Sequence, residues 1–276
     1  MDLVIQGVEV ETPDLKELAR LAGASAIEAI TPNAFRLRNA TPNPAITPYC
    51  EKTQLDHAFV PPARKLADMR LAVMDMDSTL ITIECIDEIA DMQGLKPEVA
   101  AITAAAMRGE LDYPQSLRQR VALLKGLDAG ALQRVYDERL RLSPGAEIML
   151  AKFRQLGIKT MLVSGGFTFF TERMQKRLAL DYTRSNVLEI SGGKLTGNVT
   201  GEIVDADVKR TALLKVRDEL GLRKEQVIGL GDGANDLKFM AEAGVSVAYR
   251  AKPVVRAQAT CALNYCGLDA VLNLFS

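Results

Sequence analysis

Two aspartates, Asp75 and Asp77, follow an apolar run in the stretch "LAVMDMDSTLI". The run over 71–74 is typical of a strand buried on both faces of a parallel sheet. The two carboxylates would then lie close together at the carboxyl end of that strand, where their charges repel each other. The pair therefore predicts a compensating cation at this point of the fold.

Two further apolar runs end in residues that can do chemistry, in "KTMLVSGG" and in "QVIGLGDGAND". The residues at these two strand ends are Ser164, Gly165, Gly166, Asp232, Gly233, Asn235 and Asp236. Ligands of open α/β sheets bind outside the carboxyl ends of the strands, so we expect these loops to converge on one site. Several carboxylates in one place select a hard cation, and Mg²⁺ fits that donor set.

These motifs also allow other interpretations. A DxD pair can be a solvated turn, and a calcium loop is excluded because Leu80 and Ile86 stand where Gly and Glu are needed. "GLGDGA" matches the dinucleotide fingerprint, but the next strand, "VSVAYR", lacks the acid that binds a ribose, and Asp232 would repel a pyrophosphate. A non-catalytic module that binds phosphate or a dinucleotide stays as the rival from another class.

In combination, the motifs resemble those of the haloacid-dehalogenase-like hydrolases, and within them the phosphoserine phosphatases. The resemblance covers about residues 71–260 and rests on "DMDSTL", "ECIDEIA", "SLRQRVALLKGL", "VSGGF" and "GDGANDL". It implies Mg²⁺-dependent hydrolysis of O-phospho-L-serine to L-serine and phosphate, the last step of serine biosynthesis. The alternative within the same class is a phosphatase for another small phosphomonoester.

The resemblance also implies catalytic roles. Asp75 is expected to be the nucleophile that forms an aspartyl-phosphate, and Asp77 the general acid. Mg²⁺ would be bound by Asp75, the Asp77 backbone carbonyl and Asp232. Lys209 matches the family's lysine, which balances charge in the transition state, although an ordinary exposed lysine is the alternative for that position.

Further residues are expected to bind the substrate. Ser164 and the Gly165 amide would donate hydrogen bonds to the phosphoryl oxygens. Asn235 would contact the substrate and, with Asp236, orient the metal shell and the lysine.

A second set of residues is expected to recognise an amino-acid zwitterion. Arg120 would bind the carboxylate and Glu84 the ammonium, as the family pattern places them, while Met107 and Tyr113 would form an apolar wall. Surface charges, or a pair formed between Glu84 and Arg120, are the alternative.

The elements that must position these residues follow from the alternation of strands and helices after residue 70. This pattern predicts a doubly wound, Rossmann-like parallel sheet. The long interval between the strands at Leu71 and Lys159 has helical character and predicts a cap. We expect three units: an N-terminal α+β domain over 1–65, a catalytic core over 66–83 and 150–276, and a helical cap over 84–149.

The N-terminal segment contains none of the residues expected to do chemistry. It predicts a strand in "LVIQGVEV", a helix in "TPDLKELARLAG" with Thr12 as N-cap, and a second strand near "AFRLRNA". "TPNPAITP" is typical of a linker. So short a segment buries little core, so we expect it to pack on the catalytic domain or on a second copy. Many phosphoserine phosphatases carry an N-terminal regulatory or dimerising domain, and the resemblance implies a reduced version of one here. A stabilising extension without a regulatory role is the alternative.

Charge and composition exclude several classes of partner. The net charge of −1 and the pI near 6.0 argue against binding to nucleic acid or to an anionic membrane. No apolar run approaches the roughly 18 residues that span a bilayer, and the N-terminus lacks a secretory signal. The four cysteines form no CxxC pair and His57 is the only histidine, so zinc is not expected. Reduced thiols favour a cytoplasmic location.

Overall fold

A computed structural model describes all residues from 1 to 276. The strands are β1 (Asp2–Gln6), β2 (Ala26–Thr31), β3 (Ala34–Arg38), β4 (Asp56–Val60), β5 (Leu71–Met74), β6 (Lys159–Phe167), β7 (Tyr182–Ser191), β8 (Lys194–Thr200), β9 (Val227–Gly231), β10 (Val245–Tyr249) and β11 (Cys261–Leu263). The helices are α1 (Thr12–Ala22), α2 (Ile46–Thr53), α3 (Cys85–Asp91), α4 (Lys96–Met107), α5 (Tyr113–Ala122), α6 (Gly130–Arg134), α7 (Ala146–Gln155), α8 (Thr168–Leu178), α9 (Ala206–Glu219), α10 (Leu237–Met240) and α11 (Pro253–Arg256).

The larger sheet has seven strands in the order β11-β10-β9-β5-β6-β7-β8. All neighbouring strands are parallel except β7 and β8, which form an antiparallel hairpin. The chain runs outward from β5 on both sides, towards β6 in one direction and β9 in the other, so a switch point lies beside β5. The predicted doubly wound parallel sheet is confirmed.

Apolar side chains cover both faces of this sheet. On one face, α9 and α10 contribute Leu213, Val216 and Phe239 to a core with the central strands. On the other face, α7 and α8 contribute Phe153 and Phe170 to the largest core. The strands β5, β9 and β10 are buried along their whole length, which explains their continuous apolar sequence.

The long interval between β5 and β6 is helical, as its sequence indicates. It contains α3, α4, α5 and α6, followed by α7, which returns the chain to the sheet. Buried residues of these helices, including Val99, Leu117 and Leu132, belong to the same core as the sheet. The cap is therefore packed continuously on the catalytic core.

The N-terminal residues form a four-stranded antiparallel sheet in the order β2-β3-β1-β4. The helices α1 and α2 cover one face around Leu18 and Ile46. Two local predictions were wrong. Glu11 occupies the N-cap position of α1, so Thr12 is its first helical residue. "TPNPAITP" is not all linker, because α2 begins inside it, and Pro48 fits the first turn, where no intrahelical donor is needed.

The other face of the N-terminal sheet packs on the catalytic core. Val4, Ala58 and Val60 belong to the largest core of the molecule. Hydrogen bonds between segments far apart in sequence reinforce the joint. The Arg36 guanidinium donates to the Phe275 carbonyl at 2.7 Å, and the Asp56 carboxylate accepts from backbone amides at 264–266. The chain beyond β11 is thus held between the two sheets.

None of the helices has the length and apolar character required to span a membrane.

Candidate active site

The loop after β5 carries the first two acids. Asp75 continues the strand and its N–H donates to the Leu230 carbonyl at 3.0 Å, which fixes the end of β5 against β9. Asp77 is extended, and Ser78 then adopts a left-handed conformation with φ of 58°. This turn directs the Ser78 hydroxyl towards Glu84, whose carboxylate accepts its hydrogen bond at 2.7 Å. The loop therefore ties the catalytic strand to the beginning of the cap.

Lys209 lies at the centre of the site. It is fully buried, so the alternative of an exposed lysine is wrong for this residue. Its Nζ donates to Asp75 Oδ1 and Asp236 Oδ1, both at 2.8 Å. Burial alone would lower the pKa of Lys209, but the Asp236 and Asp75 carboxylates outweigh it and raise the pKa. The ammonium is thus permanently charged and holds one Asp75 oxygen in place.

Three carboxylates crowd around this one ammonium. Oxygens of Asp75, Asp232 and Asp236 lie within 4.8 Å of one another. Burial and the nearby Asp236 charge raise the pKa of Asp75 well above its usual range, and the same causes raise the pKa of Asp232 to about 6. The site has more buried negative than positive charge, so its donor set fits a divalent cation.

The three carboxylates differ in how far the protein already satisfies them. Both oxygens of Asp236 accept hydrogen bonds, one from Lys209 and the other from the amides of Asp232 and Gly233. Asp75 has one oxygen without a donor from the protein, and Asp232 accepts only from Thr79, at 3.1 Å. Asp75 and Asp232 are therefore the better candidates for metal ligands, and Asp236 for orienting the site.

Asp77 has an environment unlike that of Asp75. One of its oxygens accepts from the Cys85 amide at 3.1 Å, and the other is buried with no partner. Burial and the adjacent Glu84 carboxylate raise the pKa of Asp77 to about 8. A carboxyl group in that state can give up a proton at neutral pH, which is what a general acid requires.

The end of β6 forms the third side of the site. The Gly166 amide donates to Ser164 Oγ at 2.8 Å, and the Tyr113 hydroxyl of the cap donates to the Gly165 carbonyl at 3.1 Å. A Cβ atom on Gly165 would lie 2.3 Å from that hydroxyl. Glycine is therefore required for the cap to approach this closely.

A cavity of about 160 Å³ joins the carboxylate cluster to the cap. The predicted residues that line it are Asp75, Asp77, Glu84, Tyr113, Arg120, Ser164, Gly165, Asp232 and Asn235. Lys209 and Asp236 lie immediately behind them. Arg120 forms no salt bridge; its Nε donates a long hydrogen bond of 3.4 Å to the Ser116 carbonyl. Glu84 and Arg120 are not paired with each other, so both charges face the cavity available for a ligand.

Met107 is the predicted residue that the structure does not bring to the site. It is the last residue of α4, its side chain is 69% exposed, and it does not line the cavity. The apolar wall comes instead from Ile86, Leu117 and Phe167. The direction in which the end of α4 faces depends on how that helix packs, and the sequence around Met107 does not indicate it.

Two polar residues of the site were missed from the sequence. Thr79 donates to Asp232 across the cluster, and Lys252 lines the cavity while its backbone N–H donates to the Asp232 carbonyl. Lys252 follows β10, and the rule that sites form at carboxyl ends of parallel strands could have identified it.

The comparisons with known proteins agree with this geometry. Residues 69–244 match the haloacid dehalogenase-like hydrolase family, and residues 3–46 match a domain of unknown function. The chain belongs to the haloacid dehalogenase-like hydrolases. It is 56% identical over 218 residues to the phosphoserine phosphatase of a Polaromonas species, covering 77% of this chain and 92% of that protein.

Two solved structures are similar to the chain. The crystal structure of a probable phosphoserine phosphatase from Vibrio cholerae, in an unliganded form, has a TM-score of 0.87 and 36% identity. That match covers 99% of this chain and 86% of the other. A substrate-bound phosphoserine phosphatase complex has a TM-score of 0.71 and 36% identity, covering 75% of this chain and 99% of the other.

Proposed function

We propose that this chain hydrolyses O-phospho-L-serine to L-serine and phosphate. The observation that carries the proposal is a single small cavity with the aspartate cluster at one end and unpaired Glu84 and Arg120 at the other. Phosphate chemistry at the first end and zwitterion recognition at the second together describe a phosphorylated amino acid. The names of the relatives support the same substrate.

Asp75 is the nucleophile in this mechanism. Lys209 holds Asp75 by one oxygen and so orients its carboxylate for attack on phosphorus. The new bond from Asp75 to phosphorus forms as the bond from phosphorus to the serine oxygen breaks. Ser164 and the Gly165 amide donate to the phosphoryl oxygens and hold them in line with the attack.

Asp77 moves the proton in both halves of the reaction. It donates its proton to the departing serine oxygen and becomes a carboxylate. It then removes a proton from water as the water attacks the aspartyl-phosphate, which releases phosphate and regenerates Asp75. The raised pKa of Asp77, about 8, suits both steps.

Mg²⁺ is the proposed cofactor, supported by the surplus of carboxylates in the cluster. The residues that would hold it are Asp75, Asp232 and the backbone carbonyl of Asp77. When bound, it supplies positive charge that offsets the repulsion between the phosphate and the attacking carboxylate.

Recognition of the serine portion falls to the cap. Arg120 binds the carboxylate with its planar fork, and Glu84, held by Ser78, accepts the ammonium. Tyr113, Ile86 and Leu117 enclose the short side chain. Asn235 contacts the phosphate side of the same cavity.

A phosphate-release assay tests the proposed function. Phosphoserine, phosphothreonine, glycerol phosphate and an aryl phosphate are compared at equal concentration, with Mg²⁺ and with excess chelator. We expect hydrolysis only with Mg²⁺ and the highest kcat/KM on phosphoserine. A higher value on a substrate without an amino-acid group would favour the other phosphomonoester phosphatase. No hydrolysis of any substrate would favour a binding module.

The proposed division into an N-terminal domain over 1–65, a core and a cap is supported by a separate small core around Leu18 and Ile46. We propose that the N-terminal domain also forms a homodimer. The supporting feature is β2, an edge strand exposed along its whole length, with Ile27 42% and Ile30 37% exposed. Light scattering of the wild type and of Ile30→Lys tests it. A wild-type mass equal to one chain at every concentration would contradict it.

The cytoplasmic location stays a proposal, supported by the cysteines. All four are buried free thiols, as expected for proteins of a reducing compartment.

A further inference from the structure

A buried amide, Asn186 of β7, links two parts of the site that the sequence motifs did not connect. Asn186 is 1% exposed and does not line the cavity. Its Nδ2 donates to the Gly165 carbonyl and its Oδ1 accepts from the Val204 amide, both at 2.8 Å. Each end of the amide therefore meets the partner that its chemistry requires, which also fixes its orientation.

The first contact lies where the sheet gives the chain no support. The pairing of β6 with β7 is regular up to Val163 and resumes only at Phe167, opposite Asn186. On the other side of β6, pairing with β5 ends at Leu162. The residues 164–166 thus lie beyond both regular ladders. The Asn186 side chain and the Tyr113 hydroxyl supply the hydrogen bonds to the Gly165 carbonyl there.

The direction of that carbonyl determines the direction of a hydroxyl that faces the phosphate. In a planar trans peptide, the Gly165 C=O and the Gly166 N–H point in opposite directions. With the carbonyl held by Asn186, the Gly166 N–H points at Ser164 Oγ and donates to it at 2.8 Å. The Ser164 oxygen is then an acceptor on that side, which leaves its own proton free for donation to a ligand in the cavity that Ser164 lines.

The second contact fixes the helix that carries Lys209. Val204 precedes Asp205, whose side chain caps α9 by accepting from the amides of Asp207 and Val208. The Asp205 carbonyl accepts from the Lys209 amide at 2.9 Å, so Lys209 lies one turn after Asp205, the residue next to the one that Asn186 holds. One side chain thus sets the phosphate loop and the lysine relative to each other.

We infer that Asn186 is a positioning residue that aligns Ser164 and Lys209 for phosphoryl transfer. The inference rests on the proposed phosphatase function. Asn186 contacts neither substrate nor metal, so it acts through the Gly165 carbonyl and the Val204 amide. Its loss should lower kcat more than it changes KM, because the cap residues that bind serine keep their places.

Asn186→Asp is the most specific variant. A carboxylate still accepts from the Val204 amide but cannot donate to the Gly165 carbonyl, and it repels that oxygen. We expect kcat on phosphoserine to fall by about 30- to 100-fold, the scale of a small misplacement of reacting groups, with KM changed less than about threefold. The inhibition constant of orthovanadate, a mimic of the phosphoryl group in transfer, should rise with it.

Ser185→Ala is the matched control. Ser185 is the preceding residue of β7, and its buried hydroxyl bonds to Thr171 at 2.7 Å, away from the site. This variant loses a buried hydrogen bond, so its stability should fall while kcat stays within about twofold. Tyr113→Phe and the double variant with Asn186→Asp complete a cycle. If both donors act through one carbonyl, their effects on kcat will not multiply.

The outcomes separate this inference from the proposed function. If the wild type does not hydrolyse phosphoserine, the proposed function fails. If the wild type is active and folded Asn186→Asp keeps kcat within threefold, or Ser185→Ala loses as much, the positioning role is overturned. Asn186→Ser is measured in parallel. Failure of both Asn186 variants to fold while Ser185→Ala folds would assign Asn186 to stability alone and also overturn it.

Discussion

Buried acids occur in two regions of the molecule, and the protein treats them in opposite ways. At the joint between the sheets, both oxygens of Asp56 accept from the backbone amides of Asn264, Tyr265 and Cys266. In the carboxylate cluster, one ammonium pairs with Asp75 and Asp236, and Asp232 accepts only from Thr79. Nearby Asp77 has an oxygen with no partner. The first arrangement is complete without a ligand, and the second is not. The comparison indicates which buried charges stabilise the fold and which have donor atoms that suit the proposed substrate or cation.

The largest expected effect is the loss of turnover in Asp75→Asn. An amide is a poor nucleophile and a poor metal ligand, so phosphate release should fall by at least about 10⁴-fold. Circular dichroism should show an intact fold. Asp77→Asn should differ in kind, keeping activity on an aryl phosphate with a good leaving group while losing most activity on phosphoserine. Substantial turnover by folded Asp75→Asn, purified free of wild type, would rule out the covalent mechanism.

Arg120→Ala tests whether the unpaired cation of the cap selects the substrate. We expect kcat/KM on phosphoserine to fall by about 30- to 5,000-fold, or about 2–5 kcal/mol, the cost of truncating one partner of a buried charge pair. The kcat/KM on an aryl phosphate should fall much less because that substrate has no carboxylate. Arg118→Ala, an exposed arginine of the same helix, is the control. Equal losses on both substrates would assign Arg120 to the fold or the phosphate.

Asp56→Asn tests the joint between the sheets, where backbone amides donate to both oxygens of the buried carboxylate. The amide keeps the shape of the side chain but loses the charge and turns one acceptor into a donor that faces a backbone N–H. The free energy of unfolding should fall by about 2–3 kcal/mol, the scale of hydrogen bonds to a charged group. Urea unfolding measures it, with Glu51→Gln, an exposed neighbour, as the control. The kcat of folded protein should be unchanged; a large loss of kcat would mean that the joint reaches the active site.

Asp232→Asn should raise the free energy of unfolding in metal-free buffer, which is the opposite of the effect expected for Asp56→Asn. The pKa of Asp232 rises from 3.8 to about 6, so its ionised form costs the folded state up to about 3 kcal/mol near neutral pH. The variant should be more stable than the wild type by about 1–3 kcal/mol in chelator. It should also gain less stability from added Mg²⁺. A less stable variant under these conditions would show that the cluster is not short of positive charge.

The smallest effect concerns His57, which lies beside Asp56 in β4. Burial lowers the pKa of His57 below 6.5, although the Asp56 and Glu51 carboxylates oppose this shift. His57 lines a surface groove, and Arg256 and Tyr265 line the same groove. The folded state therefore binds a proton less readily than the unfolded state. The contribution of neutral His57 to stability is complete above pH 6.5 and is lost as the pH falls below it. In urea unfolding, His57→Gln should lose less stability than the wild type between pH 7.5 and 5.5; equal losses would exclude this role.

The candidate active site could be predicted from the sequence better than the joint between the two sheets. Asp75 and Asp232 each follow an apolar strand, and Ser164 lies near the end of another, and strands of that kind must lie side by side. Their convergence therefore follows from local pattern and topology alone. The hairpin of β7 and β8 could also be predicted from the sequence, because the turn residues that join its strands are adjacent along the chain.

What the sequence could not give depends on contacts between distant segments. Nothing near Asp56 shows that amides some 208 residues later will bind it. The burial of Lys209 requires α9 to pack against the end of β5, and the outward direction of Met107 depends on how α4 lies on the cap. The role of Asn186 could not be predicted from the sequence for the same reason, since its two partners, Gly165 and Val204, come from different loops.

The joint between the sheets has a consequence for synthesis of the protein. Arg36 donates to carbonyls of Asn273 and Phe275, the first of them 237 residues further along the chain. At about 5–20 residues per second, roughly 12–50 s separate the emergence of these partners from the ribosome. For part of that interval the face of the N-terminal sheet that carries Val4, Ala58 and Val60 lacks the C-terminal residues of the core on which it packs. The nascent chain therefore exposes an apolar face before all of its partners are synthesised, and we expect that face to bind ribosome-associated chaperones.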